Sequence, residues 1–282
     1  MPRLNDMWQI GPKLGSGSFG EVYTATDDDG QEVAVKMETR EEDSPRQLEY
    51  EYRVYQYLRK GKNAVDCIPN VYWYGQSRDY NILVMEKLGP SLEVVLQRSG
   101  GTLSEEEVAV LGILGIRSLK KIHDKGIVHR DVKPQNVCLH PSGKQTLYFI
   151  DFGLSKKIRD RSGEHIFFKD GKRLTGTPRF CSMRCLAGIE QTRRDDVEGW
   201  IFCLLYFLRG RLPWQGLNIS IKKEKHRKIL EMKQTITTKE LTRGFSPVWA
   251  TLLEKTRNLG FDEKPPYALY EEHLKRLLER LL

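Results

Sequence analysis

The chain has 282 residues, of which 39% are apolar and 30% are charged, so its composition excludes a disordered, collagen-like or disulfide-scaffolded protein. Forty-six Lys and Arg against 38 Asp and Glu leave a formal charge of +8. This surplus indicates an anionic partner without choosing among nucleotide, nucleic acid, acidic lipid and phosphoprotein. At roughly 150 residues per domain, the length fits one large domain or two ordinary ones.

The five cysteines are scattered along the chain without a paired spacing. Cys181 and Cys185 lack the second pair or neighbouring His that a metal site needs, so we expect free thiols in a reducing compartment. The N-terminal residues lack the apolar stretch of a signal peptide. Because the longest apolar run, Trp200–Leu208, is shorter than the ~20 residues that span a bilayer, we expect a soluble intracellular protein.

Most of the first 87 residues are predicted to form strands. Short β-prone runs lie at 8–10, 21–23, 31–36, 71–74 and 80–85. The Asp27–Gly30 cluster between the second and third runs predicts a hairpin turn.

A helix interrupts these strands. Ser44 and Pro45 are typical of an N-cap and a first helical position. The apolar face that follows at helical spacing consists of Leu48, Tyr52, Tyr55 and Leu58. Glu51 lies on the same face, and a buried carboxylate needs a cationic partner. The pattern therefore predicts an ion pair to Glu51.

From about Leu88 onward the pattern becomes helical. Ser104 and Glu107 form a capping box that opens one helix, and Gly126 is placed to end it. Further helices are predicted over 195–208, which is apolar nearly all round, after Ser246–Pro247, and over 270–282. This order predicts an α+β fold with a small β-rich lobe, residues 1–87, and a larger helical lobe, residues 88–282.

Residues 15–22 have the form G-x-G-x-x-G-x-V. Alone, the pattern fits either a plain hairpin or a phosphate-binding loop. Strands on both sides argue against a dinucleotide-binding turn and favour a hairpin whose backbone amides lie over phosphates. Lys36 ends the strand that follows, and Glu51 lies fifteen residues further on. We therefore expect Glu51 to orient Lys36, which would hold the α- and β-phosphates.

The most informative stretch is residues 129–136, His-Arg-Asp-Val-Lys-Pro-Gln-Asn, followed by Asp-Phe-Gly at 151–153. Phosphoryl transfer needs a carboxylate near the attacking hydroxyl and oxygen ligands that hold magnesium on the nucleotide phosphates. Asp131 suits the first role, and Asn136 and Asp151 suit the second. Lys133 can neutralise the charge that develops on the transferred phosphoryl group.

With these motifs the chain resembles a eukaryotic protein kinase over nearly its whole length. Four segments are further similar to the casein kinase 1 family: Leu-Gly-Pro-Ser-Leu at 88–92, Leu-Thr-Gly-Thr-Pro-Arg-Phe at 174–180, Arg-Arg-Asp-Asp at 193–196 and Leu-Pro-Trp-Gln-Gly-Leu at 212–217. Vaccinia-related and tau-tubulin kinases are the runner-up branches. The resemblance implies a single bilobal kinase domain over residues 1–282, with ATP and Mg²⁺ as nucleotide and metal.

The resemblance also implies residue roles. Met85 would be the gatekeeper, Glu86 and Leu88 would offer backbone groups to adenine, and Asp196 would brace the catalytic loop. Lys133 after the catalytic Asp131 argues for a serine/threonine kinase. The implied ATP site comprises Leu14, Gly15, Ser16, Gly17, Gly20, Val22, Ala34, Lys36, Glu51, Met85, Glu86 and Leu88.

One departure from the family pattern is Arg184, which stands where casein kinase 1 members carry Asn. It leaves the anchoring of the substrate-binding loop open. An inactive kinase-fold scaffold is therefore the second class of function, although intact catalytic residues argue against it. As in casein kinase 1 members, the chain lacks the Ala-Pro-Glu that usually closes the activation segment, residues 151–182. We expect activity without phosphorylation of that segment.

Basic residues near the expected peptide groove are assigned to an anion site. The resemblance places Arg179, Lys225 and Lys172 there, with Arg130 and Lys156 behind them, and implies acidic or phosphate-primed protein substrates. The run at 222–228 as a whole is interpreted as solvated surface. No nucleic-acid module is present and aromatics do not alternate with the basic run, so we expect no specific nucleic-acid binding. We expect a monomer in the cytoplasm, with the nucleus as a second compartment.

Overall fold

The computed structural model describes residues 3–17, 20–40, 47–160 and 162–282. The expected helix start at Ser44–Pro45 and the Ser18–Phe19 tip of the glycine hairpin lie outside the described residues. Within the described part of the chain, no helix has both the length and the apolarity needed to cross a bilayer.

The N-terminal lobe is a six-stranded antiparallel sheet with strand order β1-β2-β3-β4-β6-β5. Each predicted strand is confirmed and extends past its predicted C-terminal end, whereas the third begins at Glu32, one residue after its predicted start. The Asp27 side chain accepts backbone hydrogen bonds from Asp29 and Gln31, and Gly30 has φ +81°, which closes the predicted turn. The strands are β1 Arg3–Leu4, β2 Trp8–Gly17, β3 Gly20–Thr26, β4 Glu32–Thr39, β5 Val71–Gln76 and β6 Tyr80–Glu86.

Helix α1, Gln47–Arg59, packs its predicted apolar face and Glu51 against the sheet. Its first two described amides, from Gln47 and Leu48, donate to the buried carboxylate of Glu38 on β4, each at 3.2 Å. The other oxygen of Glu38 accepts a hydrogen bond from Asn81 on β6 at 2.9 Å. A side chain of the sheet thus satisfies helix-terminal amides and fixes the position of α1 relative to β4.

The C-terminal lobe is mainly helical, and the predicted helices are present. Both bonds of the Ser104–Glu107 capping box form, and Gly126 has φ +74° directly after the helix end. The last helix begins at Tyr267, three residues before its predicted start, because Tyr267 is itself buried. The helices are α2 Leu92–Arg98, α3 Glu105–Asp124, α4 Met183–Leu186, α5 Arg193–Arg209, α6 Lys222–Thr235, α7 Thr238–Leu241, α8 Val248–Arg257 and α9 Tyr267–Leu281.

Helix α5 is the centre of this lobe. All of its residues from Arg193 to Leu208 are buried, including Arg193 and Arg194, which precede the predicted start at residue 195. Two short antiparallel pairs lie between α3 and α5 and fix the loop that connects them. These strands are β7 Ile127–Val128 with β10 Lys156–Lys157, and β8 Val137–Leu139 with β9 Leu147–Phe149.

Candidate active site

A cavity of about 1440 Å³ lies between the lobes and runs from the β2–β3 hairpin to helix α6. Predicted catalytic, metal and anion residues line it, namely Lys133, Asn136, Asp151, Arg179 and Lys225. The wall of this cavity also contains the predicted nucleotide residues Leu14, Gly15, Ser16, Gly20, Val22, Ala34, Lys36, Glu51, Met85, Glu86 and Leu88. Gly17 pairs with Gly20 at the tip of the hairpin above this cavity.

The glycines of the hairpin have different physical roles. Gly20 has φ +141°, and a Cβ atom there would lie 2.1 Å from the carbonyl oxygen of Met37, so another residue would displace the strand. A Cβ atom at Gly15 would meet nothing within 4 Å. Gly20 is therefore required by the sheet, whereas Gly15 keeps the hairpin backbone bare above the cavity.

The predicted Lys36–Glu51 ion pair is present, and Asp151 joins it. The Lys36 Nζ atom lies 2.7 Å from Glu51 Oε2 and 2.8 Å from Asp151 Oδ1. Burial alone would lower the pKa of Lys36, but the charges of Glu51 and Asp151 raise it above its ordinary value. Burial raises the pKa of Asp151, but Lys36 outweighs this and holds it below its ordinary value. All three elements, β4, α1 and the loop after β9, are thus joined by one cation.

Helix α1 also holds the backbone of the Asp-Phe-Gly segment. The Asp151 amide donates to Tyr55 Oη at 3.2 Å, and the Phe152 amide donates to Glu51 Oε1 at 3.3 Å. The Phe152 ring packs edge-on against Tyr55 and lies 4.8 Å, centroid to centroid, from His129. Sequence reasoning did not assign Tyr55 a functional role, because its apolar spacing indicated only packing.

The catalytic loop is fixed by the buried carboxylate of Asp196 on α5, as the family resemblance implied. Asp196 accepts hydrogen bonds from the amides of His129 at 2.6 Å and Arg130 at 2.8 Å, and contacts His123 Nε2 at 2.9 Å. Arg130 has φ +67° and Asp151 has φ +66°. Left-handed backbone at a non-glycine residue is typical of functional sites, where surrounding contacts enforce it.

The Asp131 carboxylate is held by both of its oxygens. Lys133 Nζ donates to Oδ2 at 2.6 Å, while the amide and hydroxyl of Thr177 donate to Oδ1 at 2.9 and 2.7 Å. Asn136 Nδ2 donates to the Asp131 carbonyl oxygen at 3.0 Å. A carboxylate fixed in this way can receive a proton from a hydroxyl group that reaches the cavity. Thr177 belongs to the family-like segment 174–180, but sequence patterns assigned it no role.

The proposed metal residues lie together beside this carboxylate. The Ile150 amide donates to the Asn136 carbonyl oxygen at 3.0 Å, so Asn136 adjoins the residue that precedes Asp151. Within the described residues no cluster of three or more His, Cys, Asp or Glu could hold a metal by itself. Two oxygen donors fit Mg²⁺, which keeps waters and takes nucleotide phosphates as further ligands.

The structure separates the predicted basic cluster into two groups. Arg130, Lys156 and Lys172 surround the carboxylate of Glu190, at 3.7, 2.7 and 3.4 Å. Burial raises the pKa of Glu190, but Lys156 and Lys172 outweigh it and lower the pKa below its ordinary value. Lys172 is therefore not placed with the cavity-lining cations. An internal anion that the basic pattern could not reveal holds it instead.

Arg179 and Lys225 are the predicted anion-site residues that do line the cavity. The Arg179 guanidinium lies over the rings of Phe180 and Tyr206, at 5.6 and 5.7 Å from their centroids. The Arg179 carbonyl oxygen accepts a hydrogen bond from Trp214 Nε1 at 2.8 Å. Neither cation forms an ion pair with a carboxylate in the described part of the chain, and both residues line the cavity.

Arg184 anchors the substrate-binding loop, which the sequence had left open. Its guanidinium donates to the carbonyl oxygen of Arg257 and lies 3.5 Å from that of Leu259, at the end of α8. Arg194 donates to the same Leu259 oxygen at 2.7 Å. The arginine thus ties α4 to the α8–α9 connection, and Ser182 adds a second tie through Asp195 on α5 at 2.5 Å.

A family model for the protein kinase domain matches residues 8–282 of this chain. The chain therefore belongs to the protein kinase family, and the antiparallel N-terminal sheet and helical C-terminal lobe are those of its fold. The family's activity is phosphoryl transfer from ATP to protein, which agrees with the arrangement of Lys36, Asp131 and Asp151.

Proposed function

We propose that this protein kinase is a casein kinase 1-like serine/threonine kinase that phosphorylates acidic or phosphate-primed proteins. The observation that carries the proposal is the buried Asp131 carboxylate, held between Lys133 and Thr177, which both line the cavity. The serine/threonine assignment is supported by Lys133 two residues after Asp131, which is the serine/threonine signature of the motif.

The upper part of the cavity would hold ATP. Lys36, kept ionised by Glu51 and Asp151, would bind the α- and β-phosphates beneath the glycine hairpin. Adenine would lie beside Met85 at the lobe junction. The Glu86 amide already donates to the Asn70 carbonyl oxygen at 2.8 Å, so hinge carbonyl groups and the Leu88 amide would make the adenine hydrogen bonds.

The reaction follows from the residues below the nucleotide. The substrate hydroxyl oxygen forms a bond to the γ-phosphorus, the bond to the bridging oxygen breaks, and ADP leaves. Asp131 orients the hydroxyl and takes up its proton, and Lys133 stabilises the charge that develops on the transferred group. Asn136 and Asp151 would hold Mg²⁺, whose charge, when bound, neutralises the phosphates.

The preference for acidic substrates rests on Arg179 and Lys225. Both face the part of the cavity beyond the phosphates, and their charges are not neutralised by described carboxylates. A substrate phosphate or carboxylate there would form charge-assisted hydrogen bonds, each contributing about 1.5–3 kcal/mol. Lys172 is omitted from this site because Glu190 already holds it.

The substrate preference is tested by kcat/KM on a phosphoserine-primed peptide and on its unprimed twin. We expect the primed peptide to be preferred at least about tenfold, equivalent to about 1.4 kcal/mol. Lys225→Ala and Arg179→Gln should reduce the ratio towards one. Lys223→Ala is the matched control, because Lys223 lies exposed on the same helix outside the cavity lining. Equal rates on both peptides with the wild-type enzyme would refute the preference.

The alternative of an inactive kinase-fold scaffold is tested separately. Purified protein should phosphorylate casein on Ser and Thr, as seen by phosphoamino-acid analysis, and Asp131→Asn should abolish the signal. Activity that survives this substitution would point to a contaminating kinase, and phosphotyrosine as the main product would refute the serine/threonine assignment.

A further inference from the structure

A fully buried lysine lies behind residues 177–181, which we call the substrate-side segment. Lys233 on α6 has no exposed surface, although a lysine is almost never fully buried unless its charge is compensated. Its Nζ atom donates to the Cys181 carbonyl oxygen at 2.6 Å and to the Pro178 carbonyl oxygen at 3.0 Å. Lys233 therefore joins α6 to the backbone of this segment at two points.

Two aromatic rings enclose the same ammonium group. The Lys233 Nζ atom lies 4.6 Å from the centroid of the Phe202 ring and 4.8 Å from that of the Trp214 ring. The faces of aromatic rings attract a cation that has lost its water. The rings and the two carbonyl oxygens together stabilise the charge in the interior, so the side chain has a defined position.

The substrate-side segment reaches both the catalytic carboxylate and the anion site. Thr177 precedes Pro178 and donates to Asp131 through its amide and its hydroxyl. Arg179 follows Pro178 and lines the cavity. The ammonium group of Lys233 thus holds the residue that lies between the two functional side chains of the segment.

Helix α6 carries the second cation of the anion site. Lys225, Ile229 and Lys233 are spaced by four residues, so they follow one another along one face of the helix. Lys225 and Ile229 line the cavity. The Lys233 carbonyl oxygen accepts a hydrogen bond from Arg257 Nη2 at 3.3 Å, which ties this end of α6 to α8. The attachment of Lys233 to the substrate-side segment therefore sets the position of Lys225 relative to Arg179.

We propose that Lys233 is a positioning residue that holds the substrate-side segment against α6 and so aligns the catalytic carboxylate with the anion site. It acts through Thr177 on Asp131, and through Arg179 and Lys225 on a phosphate or carboxylate of the protein substrate. The effect on substrate preference rests on the proposed function, whereas the effect on Asp131 rests only on phosphoryl transfer to a hydroxyl.

The assignment is tested by steady-state kinetics of Lys233→Met in the whole chain, a change that removes the ammonium group and keeps an unbranched side chain. The kcat on the unprimed peptide should fall at least about tenfold, as expected when hydrogen bonds from a charged group are lost. The ratio of kcat/KM between the primed and the unprimed peptide should fall at least about threefold, while the KM for ATP stays within about twofold. A folded Lys233→Met that keeps the wild-type kcat, or the wild-type ratio, would overturn the assignment.

Two controls separate positioning from a general loss of stability. Leu277→Ala on α9 opens a cavity in the core where α9 packs against α3 and α8, and it should keep the wild-type ratio at a temperature at which both variants are folded. Adding Lys233→Met to Arg179→Gln should not lower the ratio further, because both changes act on the same anion site. A further loss in the double variant would show that Lys233 does not act through Arg179.

Trp214→Phe tests the same contacts if Lys233→Met does not fold. This change keeps a ring beside Lys233 and removes only the N–H group that holds the Arg179 carbonyl oxygen. The ratio should fall at least about threefold, and an unchanged ratio would overturn the assignment. A wild-type enzyme without preference for the primed peptide would instead refute the proposed function. The kcat of Lys233→Met on the unprimed peptide would then still decide whether Lys233 positions Asp131.

Discussion

Replacing Thr177 with Val removes one hydroxyl from beside the catalytic carboxylate and leaves the side-chain shape nearly unchanged. The hydroxyl donates to Asp131 Oδ1 at 2.7 Å, and a hydrogen bond to a charged group contributes about 1.5–3 kcal/mol. If the whole contribution of this hydrogen bond were lost in the transition state, kcat would fall about 10- to 160-fold, at 1.36 kcal/mol per factor of ten. The Thr177 amide still donates to the same oxygen, and Lys133 still holds the other. We therefore expect the lower part of this range, about 10- to 30-fold.

Steady-state kinetics on casein measure this loss, with ATP and protein substrate varied separately. The KM for ATP should remain within about twofold, because Thr177 lies below the nucleotide residues. Thr177→Ser restores a hydroxyl and should recover most of kcat. If Thr177→Val keeps wild-type kcat, or if Thr177→Ser is as impaired as Thr177→Val, the hydroxyl does not position Asp131 and the reasoning fails.

Three further changes test the remaining contacts. Glu51→Gln removes a carboxylate from buried Lys36, so kcat/KM for ATP should fall at least about tenfold in the same assay; an unchanged value would contradict the role of the pair. Arg184→Ala removes donors to the Arg257 and Leu259 carbonyl groups and should lower the free energy of unfolding in urea by about 1–3 kcal/mol; no change would show that the loop is anchored elsewhere. Hydrogen bonds from Arg117 and Lys275 lower the pKa of Glu271 from its ordinary 4.5 to about 2, so this largely solvated carboxylate stabilises the fold above pH 4.5 by less than about 1 kcal/mol. The stabilisation is lost as pH falls from 4.5 towards 2, so the free energies of unfolding in urea of Glu271→Gln and of the wild type should converge over this interval. A difference between them that grows on acidification would contradict the expected direction.

The elements with long regular patterns could be predicted from the sequence. Helices α3 and α5 carry strong caps or continuous apolar runs, and both are present. Helices α2, α4 and α7 have only four to seven residues, which is too short for a period to show. Only the run 222–228 of helix α6 was interpreted, as solvated basic surface. The buried residues of this helix lie beyond the run and include Lys233, whose ammonium group is held by backbone carbonyl groups from another part of the chain.

The features of the candidate site also divide into those that the sequence predicted and those that it could not. Lys36, Asp131, Asn136 and Asp151 could be found because their chemistry requires those residue types in that order. The contacts that position them join distant parts of the chain, such as Tyr55 to Asp151 over 96 residues. No local pattern encodes such a contact. The family resemblance likewise implied a basic cluster but could not distinguish Lys172, which is paired with Glu190, from Lys225, which lines the cavity.

Glu190 lies among three basic side chains of the C-terminal lobe, Arg130, Lys156 and Lys172. Many kinases order this region only after another enzyme adds a phosphate that pairs with basic side chains. Here a carboxylate encoded in the chain occupies the centre of three cations, and no phosphatase can remove it. These three side chains are therefore held by a carboxylate that is present as soon as the chain folds.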